Sequence, residues 1–125
     1  MGLETNIGHW IALHLAPLLV VLFRNNTGFY KEVDPKTGKK RFIRYGVGPH
    51  KGGGSDHIGW KSEIITQKMV GRRVAIFTAI EVKTLEGEEK ENQIKFINAV
   101  RKAGGYAGFA RSRKEADLIF GIDKQ

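Results

Sequence analysis

The chain has 125 residues, and its 21 lysines and arginines outnumber its 13 aspartates and glutamates, which gives a formal net charge of +8 at pH 7. This length predicts one domain with its own hydrophobic core. The positive charge favours a polyanionic partner such as nucleic acid. Because the chain has no cysteine, disulfides, thiolate metal sites and a thiol nucleophile are excluded.

An N-terminal helix is predicted over residues 3–23, where apolar residues recur at helical spacing. Pro17 is expected to kink it, because proline lacks the amide donor. The apolar part is shorter than the roughly 20 residues of a bilayer span, and a signal-peptide cleavage site is missing, so we expect no membrane segment. Residues 18–23 are apolar on nearly every face. They favour a core helix or a buried strand over a helix shared with a second subunit.

A basic β-hairpin is predicted next, with strands over residues 29–33 and 41–45 and a turn that contains Pro35 and Gly38. A strand edge protected by lysines would explain its positive charge. The alternative is that these residues contact a phosphate backbone. We favour this alternative because the chain also carries the candidate site carboxylates described below. The candidate DNA-binding residues of the hairpin and the following loop are Lys36, Lys39, Lys40, Arg41, Arg44 and Lys51.

A glycine-rich loop over residues 46–55 precedes Asp56 and the start of a short predicted strand. It lacks the Gly-Lys-Ser/Thr ending of a phosphate-binding P-loop. Its glycines allow close approach of the backbone to a ligand or present Asp56 at a bend, and a flexible linker is the alternative. Residues 60–71 are compatible with a strand, an insertion or a short helix ending at Gly71.

A central strand is predicted over residues 74–83, which begin as an apolar run and end in Glu81-Val82-Lys83. Side chains alternate in a strand, so Glu81 and Lys83 share one face and Val82 points into the opposite layer. Buried charges are costly unless they are paired or bind a metal. A strand that simply runs out into solvent is the alternative.

A helix over residues 89–103 follows, with a stop at Gly104-Gly105. Gln93 lies on the side of Ile97 and Val100, so it is expected to face inward. A strand over residues 106–111 and a short helix over 113–119, capped by Ser112, complete the chain. The predicted fold is α/β, a mixed β-sheet flanked by helices in a single domain.

The order Asp56, Glu81-x-Lys83, Gln93 resembles the PD-(D/E)xK nucleases, in particular their virus-type replication-repair (VRR-NUC) branch. The likeness covers residues 52–120 and implies a restriction-endonuclease-like fold with a catalytic core over those residues. It implies that Asp56, Glu81 and the Val82 carbonyl hold Mg²⁺ or Mn²⁺, for which carboxylate oxygens are suited. Lys83 would stabilise charge on the phosphate or orient the water, and Gln93 would bind a water or a phosphate oxygen. Glu4 would be a further acid, its alternative role being a favourable contact with the helix dipole.

The resemblance also implies what the protein acts on and with what partners. We expect a metal-dependent DNA endonuclease that acts in repair, recombination or phage replication, in the cytoplasm of a bacterial or phage-infected cell. Free-standing members resemble one another in forming homodimers that cut branched DNA such as four-way (Holliday) junctions. The alternatives are a non-catalytic basic nucleic-acid-binding module on a nuclease scaffold and a structural subunit that is active only with a partner.

Overall fold

The computed structural model describes residues 2–49 and 52–122 of a small mixed α/β protein. It divides into two compact units, Met1–Trp60 and Lys61–Gln125, and each is described by itself. Within the described residues the strands form three separate two-stranded sheets, so the single mixed sheet that the sequence predicts is not observed. Among the same residues, no helix combines the length and apolar character needed to cross a bilayer.

The first unit begins with helix α1 (Leu3–Leu15), a 3₁₀ turn (Ala16–Leu18) and strand β1 (Val20–Arg24). The predicted helix over residues 3–23 is therefore wrong beyond Leu15, and residues 20–24 take the strand conformation. Pro17 lies in the 3₁₀ turn, and Leu19 then adopts a left-handed conformation with φ of 65°. That conformation costs a residue with a Cβ about 1–2 kcal/mol, and it redirects the chain from helix to strand.

The predicted hairpin is confirmed to within one residue by β2 (Gly28–Val33) and β3 (Lys40–Tyr45), which pair antiparallel. The backbone N–H of Lys36 donates to Asp34 Oδ1 at 2.8 Å and lowers the pKa of Asp34 below its ordinary value. An acid whose folded-state pKa is lowered stabilises the fold above its ordinary pKa. This contribution of the turn is lost as the pH falls through the lowered pKa.

Strand β4 (His57–Lys61) pairs with β1 and begins directly after Asp56, as the sequence predicts. The backbone N–H of Asn25 donates to the backbone carbonyl of Asp56 at 2.8 Å. The rings of Phe23 and Trp60 lie 5.4 Å apart. A Cβ added to Gly59 would overlap the carbonyl oxygen of Val21. The two strands can therefore approach each other only because residue 59 has no side chain.

The second unit contains a 3₁₀ turn (Gln67–Met69), β5 (Thr78–Val82), α2 (Glu91–Ala103), β6 (Tyr106–Ala110) and α3 (Arg113–Ile119). The 3₁₀ turn lies in the segment over residues 60–71 that the sequence left open. Strands β5 and β6 pair in parallel, from Thr78 beside Tyr106 to Val82 beside Ala110. Parallel strands need a crossover connection, which α2 supplies. The buried apolar side chains of the described residues all lie here, and they are Ile97, Val100, Ala107 and Ala110.

The ends of these elements agree with their sequence signals, with one exception. Helix α2 stops at Gly104, which adopts φ of 104°, and Ser112 Oγ caps α3 by accepting from the Glu115 amide at 3.2 Å. The exception is β5, which has 5 residues and starts at Thr78, whereas the predicted strand starts at residue 74. A strand of this length offers only a short edge for pairing, consistent with a two-stranded sheet.

Gly59→Ala should destabilise the protein by about 1–3 kcal/mol, because the added methyl group forces β1 and β4 apart. Gly2→Ala is the control, since a Cβ there meets nothing within 4 Å. Urea unfolding of both variants measures the difference. Equal unfolding free energies for the two variants would contradict the close approach of β1 and β4.

Candidate functional site

The charged residues at the end of strand β5 lie on its packed side, and its apolar residues lie on the outer side. The charged residues are Glu81, within the strand, and Lys83, directly after it. Ile80 and Val82 are 40% and 77% exposed, so Val82 does not enter a buried layer as the alternation predicted. Glu81 is half-buried, and only 12% of the Lys83 side chain is exposed. Hydrophobic burial favours the opposite arrangement, and such departures from the folding rules occur typically at functional sites.

Gln93, in the first turn of α2, connects the helix to Glu81. Its Nε2 donates to Glu81 Oε1 at 2.9 Å, and its Oε1 accepts from the Lys90 backbone N–H at 3.1 Å. The predicted inward orientation of Gln93 is confirmed. Because both ends of the amide are engaged, Gln93 fixes the orientation of the Glu81 carboxylate, and we describe it as a positioning residue.

Lys83 lies directly beyond β5, and its backbone N–H donates to the Ala110 carbonyl at 3.1 Å. Its Nζ lies 4.0 Å from Glu81 Oε1, which is too long for a hydrogen bond. Within the described ranges, Glu81 is the sole carboxylate that Lys83 approaches this closely. The Lys83 side chain is therefore largely buried with no hydrogen bond to Glu81, and an ammonium group in such a position is suited to anionic ligand oxygens.

Three polar groups gather at the carboxyl ends of the parallel strands. Glu81 lies near the end of β5, Lys83 lies directly after β5, and Arg111 lies directly after β6. Arg111 donates to the Gly87 carbonyl at 2.9 Å and to Glu89 at 3.3 Å, which holds the loop that leads into α2. In open α/β sheets, ligands bind outside the carboxyl ends of the strands. The sequence reasoning missed Arg111, although its position at the end of a predicted strand was a usable signal.

Asp56 and Glu4 line one cleft in the first unit. This polar cleft has a volume of about 570 Å³, and both side chains are exposed in it. The structure thus brings together two of the acids that the sequence singled out. The cleft is lined by Glu4, Thr5, Arg24, Asn25, Asn26, Thr27, Tyr45, Asp56 and His57.

Two small features shape this cleft. Asn25 Nδ2 donates to the carbonyls of Val47 and Ser55 at 2.7 and 2.9 Å, and its Oδ1 accepts from the Val47 amide at 3.0 Å. Asn25 therefore ties both ends of the glycine-rich loop to the end of β1. Gly8 is buried, and a Cβ there would lie 2.6 Å from the His57 ring, so α1 packs closely on β4 and positions Glu4. The sequence reasoning assigned Asn25 only to a turn.

The basic side chains of the hairpin divide between its two faces. Arg41 lies beside Glu32 and pairs with it at 2.6 Å, whereas Lys40 and Arg44 lie on the other face. Lys36 and Lys39 occupy the turn, whose tip includes a cavity of about 420 Å³ lined in part by Lys39, Lys40 and Arg41. Lys51, the remaining predicted DNA-binding residue, lies outside the described residues.

The donor chemistry of the predicted metal ligands fits a hard divalent cation. Glu4, Asp56 and Glu81 supply carboxylate oxygens, which Mg²⁺ and Mn²⁺ prefer. Glu81 is already oriented by Gln93, as carboxylate ligands typically are by their hydrogen-bond partners. In the part of the chain that the structure describes, no three His, Asp or Glu side chains form a group that could hold a metal ion.

No protein-family model, no curated protein and no solved structure matches the chain. The functional assignment therefore depends on the two groups of residues described above.

Lys83→Met should leave the free energy of unfolding unchanged or raise it by up to about 1 kcal/mol, since it removes a poorly compensated ammonium group at similar volume. The control is Lys95→Met, because Lys95 is exposed and pairs with Glu91 at 3.2 Å on the surface of α2. Denaturant unfolding measures both variants. A loss of more than about 1 kcal/mol in Lys83→Met alone would indicate a structural role for this lysine.

Proposed function

We propose that the protein is a metal-dependent DNA endonuclease of the PD-(D/E)xK type, similar to the VRR-NUC branch. The observation that carries this proposal is the pair Glu81 and Lys83 on the packed side of β5, with Gln93 holding the carboxylate. A merely structural strand gains nothing from packing these charges inward while Ile80 and Val82 are exposed. The restriction-endonuclease-like fold belongs to the same proposal.

The proposed reaction is hydrolysis of a phosphodiester bond with water as nucleophile. Water oxygen bonds to phosphorus, one phosphoester bond breaks, and the leaving oxygen takes up a proton. The Lys83 ammonium stabilises the negative charge on the attacked phosphate or orients the water. Gln93 keeps Glu81 in position, and Arg111 holds the loop before α2. Asp56, Glu81 and the Val82 carbonyl would hold Mg²⁺ or Mn²⁺, which supplies Lewis-acid polarisation of the phosphate.

Lys83→Ala and Asp56→Ala should each lower the cleavage rate of labelled DNA in Mg²⁺ by at least about 100-fold, because each removes a charge from the reacting centre. Lys95→Ala is the matched control, since it removes an exposed lysine of the same unit as Lys83. Circular dichroism checks that all three variants fold. Full activity in either site variant would contradict the assignment of its residue.

Branched DNA is the proposed substrate, and a homodimer is the proposed active form. We expect cleavage of a four-way junction in preference to linear duplex and single strand, with none in EDTA. Equal cutting of every substrate would support the nuclease activity but contradict the preference for branched DNA. The absence of cutting, with DNA binding retained, would favour the non-catalytic binding module. The described residues contain no group of three candidate metal ligands, an observation in favour of that second candidate.

A further inference from the structure

The hairpin formed by β2 and β3 has two chemically different faces. In an antiparallel pair, residues directly opposite each other share a face, and successive residues alternate. One face, which we call the open face, consists of three cross-strand pairs. Each pair combines one apolar side chain with one cation: Phe29 with Arg44, Lys31 with Phe42, and Val33 with Lys40.

The opposite face is satisfied by its own contacts. Glu32 and Arg41 form an ion pair at 2.6 Å, and the rings of Tyr30 and Tyr45 lie 6.4 Å apart. Gly28 lies beneath Tyr45, because a Cβ there would be 2.5 Å from the tyrosine oxygen. Tyr30 and Tyr45 are also exposed, at 52% and 46%, but each ring has an aromatic neighbour and each charge has an opposite charge. This face serves as the internal control for the open face.

On the open face, Phe42, Lys31 and Lys40 have no such partner among the described residues, whereas Phe29 and Arg44 contact each other. Phe42 is 74% exposed and Phe29 is 57% exposed, although phenyl rings are normally removed from water. Lys31 and Lys40 are exposed, and within residues 2–49 and 52–122 no carboxylate pairs with either of them. The Arg44 guanidinium lies 5.9 Å from the centre of the Phe29 ring. The Arg44 side chain is half-buried, and its Nη2 atom is buried without a hydrogen-bond partner, so its positive charge is left without an acidic partner among the described residues.

We propose that the open face binds unpaired DNA, with Phe29 and Phe42 stacking on bases and Lys31, Lys40 and Arg44 contacting phosphates. Exposed rings alternating with cations are the combination that single-stranded nucleic acids require, since stacking and phosphate neutralisation supply most of the binding energy. The three cations and the absence of a carboxylate on this face oppose an apolar or basic protein partner. Duplex DNA offers its bases only as edges within the grooves, where a projecting ring cannot stack without unstacking them.

This inference rests on the proposed function, to which it adds a specificity. A branched substrate has unpaired nucleotides where its arms meet or end, and the hairpin would engage those nucleotides. It also revises the use of the hairpin. From the sequence, phosphate contacts were assigned to several basic residues including Arg41. The pairing of β2 with β3 places Lys31, Phe29 and Phe42 on the proposed binding face and Arg41 on the opposite face.

The test is binding of fluorescein-labelled oligothymidine to the full chain, measured by fluorescence anisotropy in EDTA so that no cleavage occurs. Phe42→Leu retains apolar bulk without an aromatic ring, and Phe42→Tyr retains the ring. We expect Phe42→Leu to weaken binding about 5-fold to 100-fold and Phe42→Tyr to change it less than about 3-fold. Tyr30→Leu, on the opposite face, is the matched control and should also change it less than about 3-fold.

Three outcomes would overturn the inference. Equal oligothymidine binding by Phe42→Leu and the natural chain would contradict the stacking of Phe42 on a base. Equal losses for oligothymidine and duplex DNA would show that the face is not selective for unpaired DNA. A change of sedimentation coefficient in Phe42→Leu would assign the face to a protein contact. Because binding is measured without metal and without cleavage, failure of the nuclease proposal would leave this result unaffected.

Discussion

The parallel pairing of β5 with β6 determines the arrangement of the second unit. Two strands that run in the same direction need a crossover, and α2 makes that crossover and packs Ile97 and Val100 into the core. Small residues on β6 permit close packing of the helices, since Ala107 and Ala110 are buried and a Cβ on Gly108 would lie 2.8 Å from Ile119 of α3. The same geometry brings the first turn of α2 to the ends of the strands, where Gln93 meets Glu81.

This arrangement buries most of a lysine side chain without a hydrogen-bonded acidic partner. Lys83 is largely desolvated, yet Glu81 lies at 4.0 Å and has its own hydrogen bond from Gln93. Charged side chains packed inward beside exposed apolar ones are a departure from the folding rules of the kind that occurs at functional sites. The hairpin of the first unit shows a similar pattern, because its open face exposes two phenyl rings beside cations while its other face is internally paired. The polyanionic, partly unpaired substrate that we propose would account for both features.

Local signals predicted the parts of the fold that local chemistry decides. Pro35 and Gly38 identified the hairpin turn, Gly104 the end of α2, and Ser112 the cap of α3. Helical periodicity placed Gln93 inward. A strand was one alternative for residues 18–23, and β1 confirms it, but the sequence could not show that Leu19, without a glycine's freedom, would adopt the left-handed conformation that ends the helix before it. The sequence also could not show which strands pair when they lie far apart along the chain. The close contact of Gly59 with Val21 is an example. The part played by Asn25 in the cleft depends on two loops that meet only in the folded unit.

Binding of Mn²⁺ observed by amide NMR tests the central claim most directly, because the paramagnetic ion broadens signals only close to where it binds. Substoichiometric Mn²⁺ should selectively broaden the amides around residues 81–83, and Glu81→Gln should abolish the effect. The loss should occur without a change in the spectrum of the metal-free protein. Broadening confined to exposed carboxylates such as Glu86 and Glu88, or unaltered in Glu81→Gln, would contradict a catalytic metal at these residues.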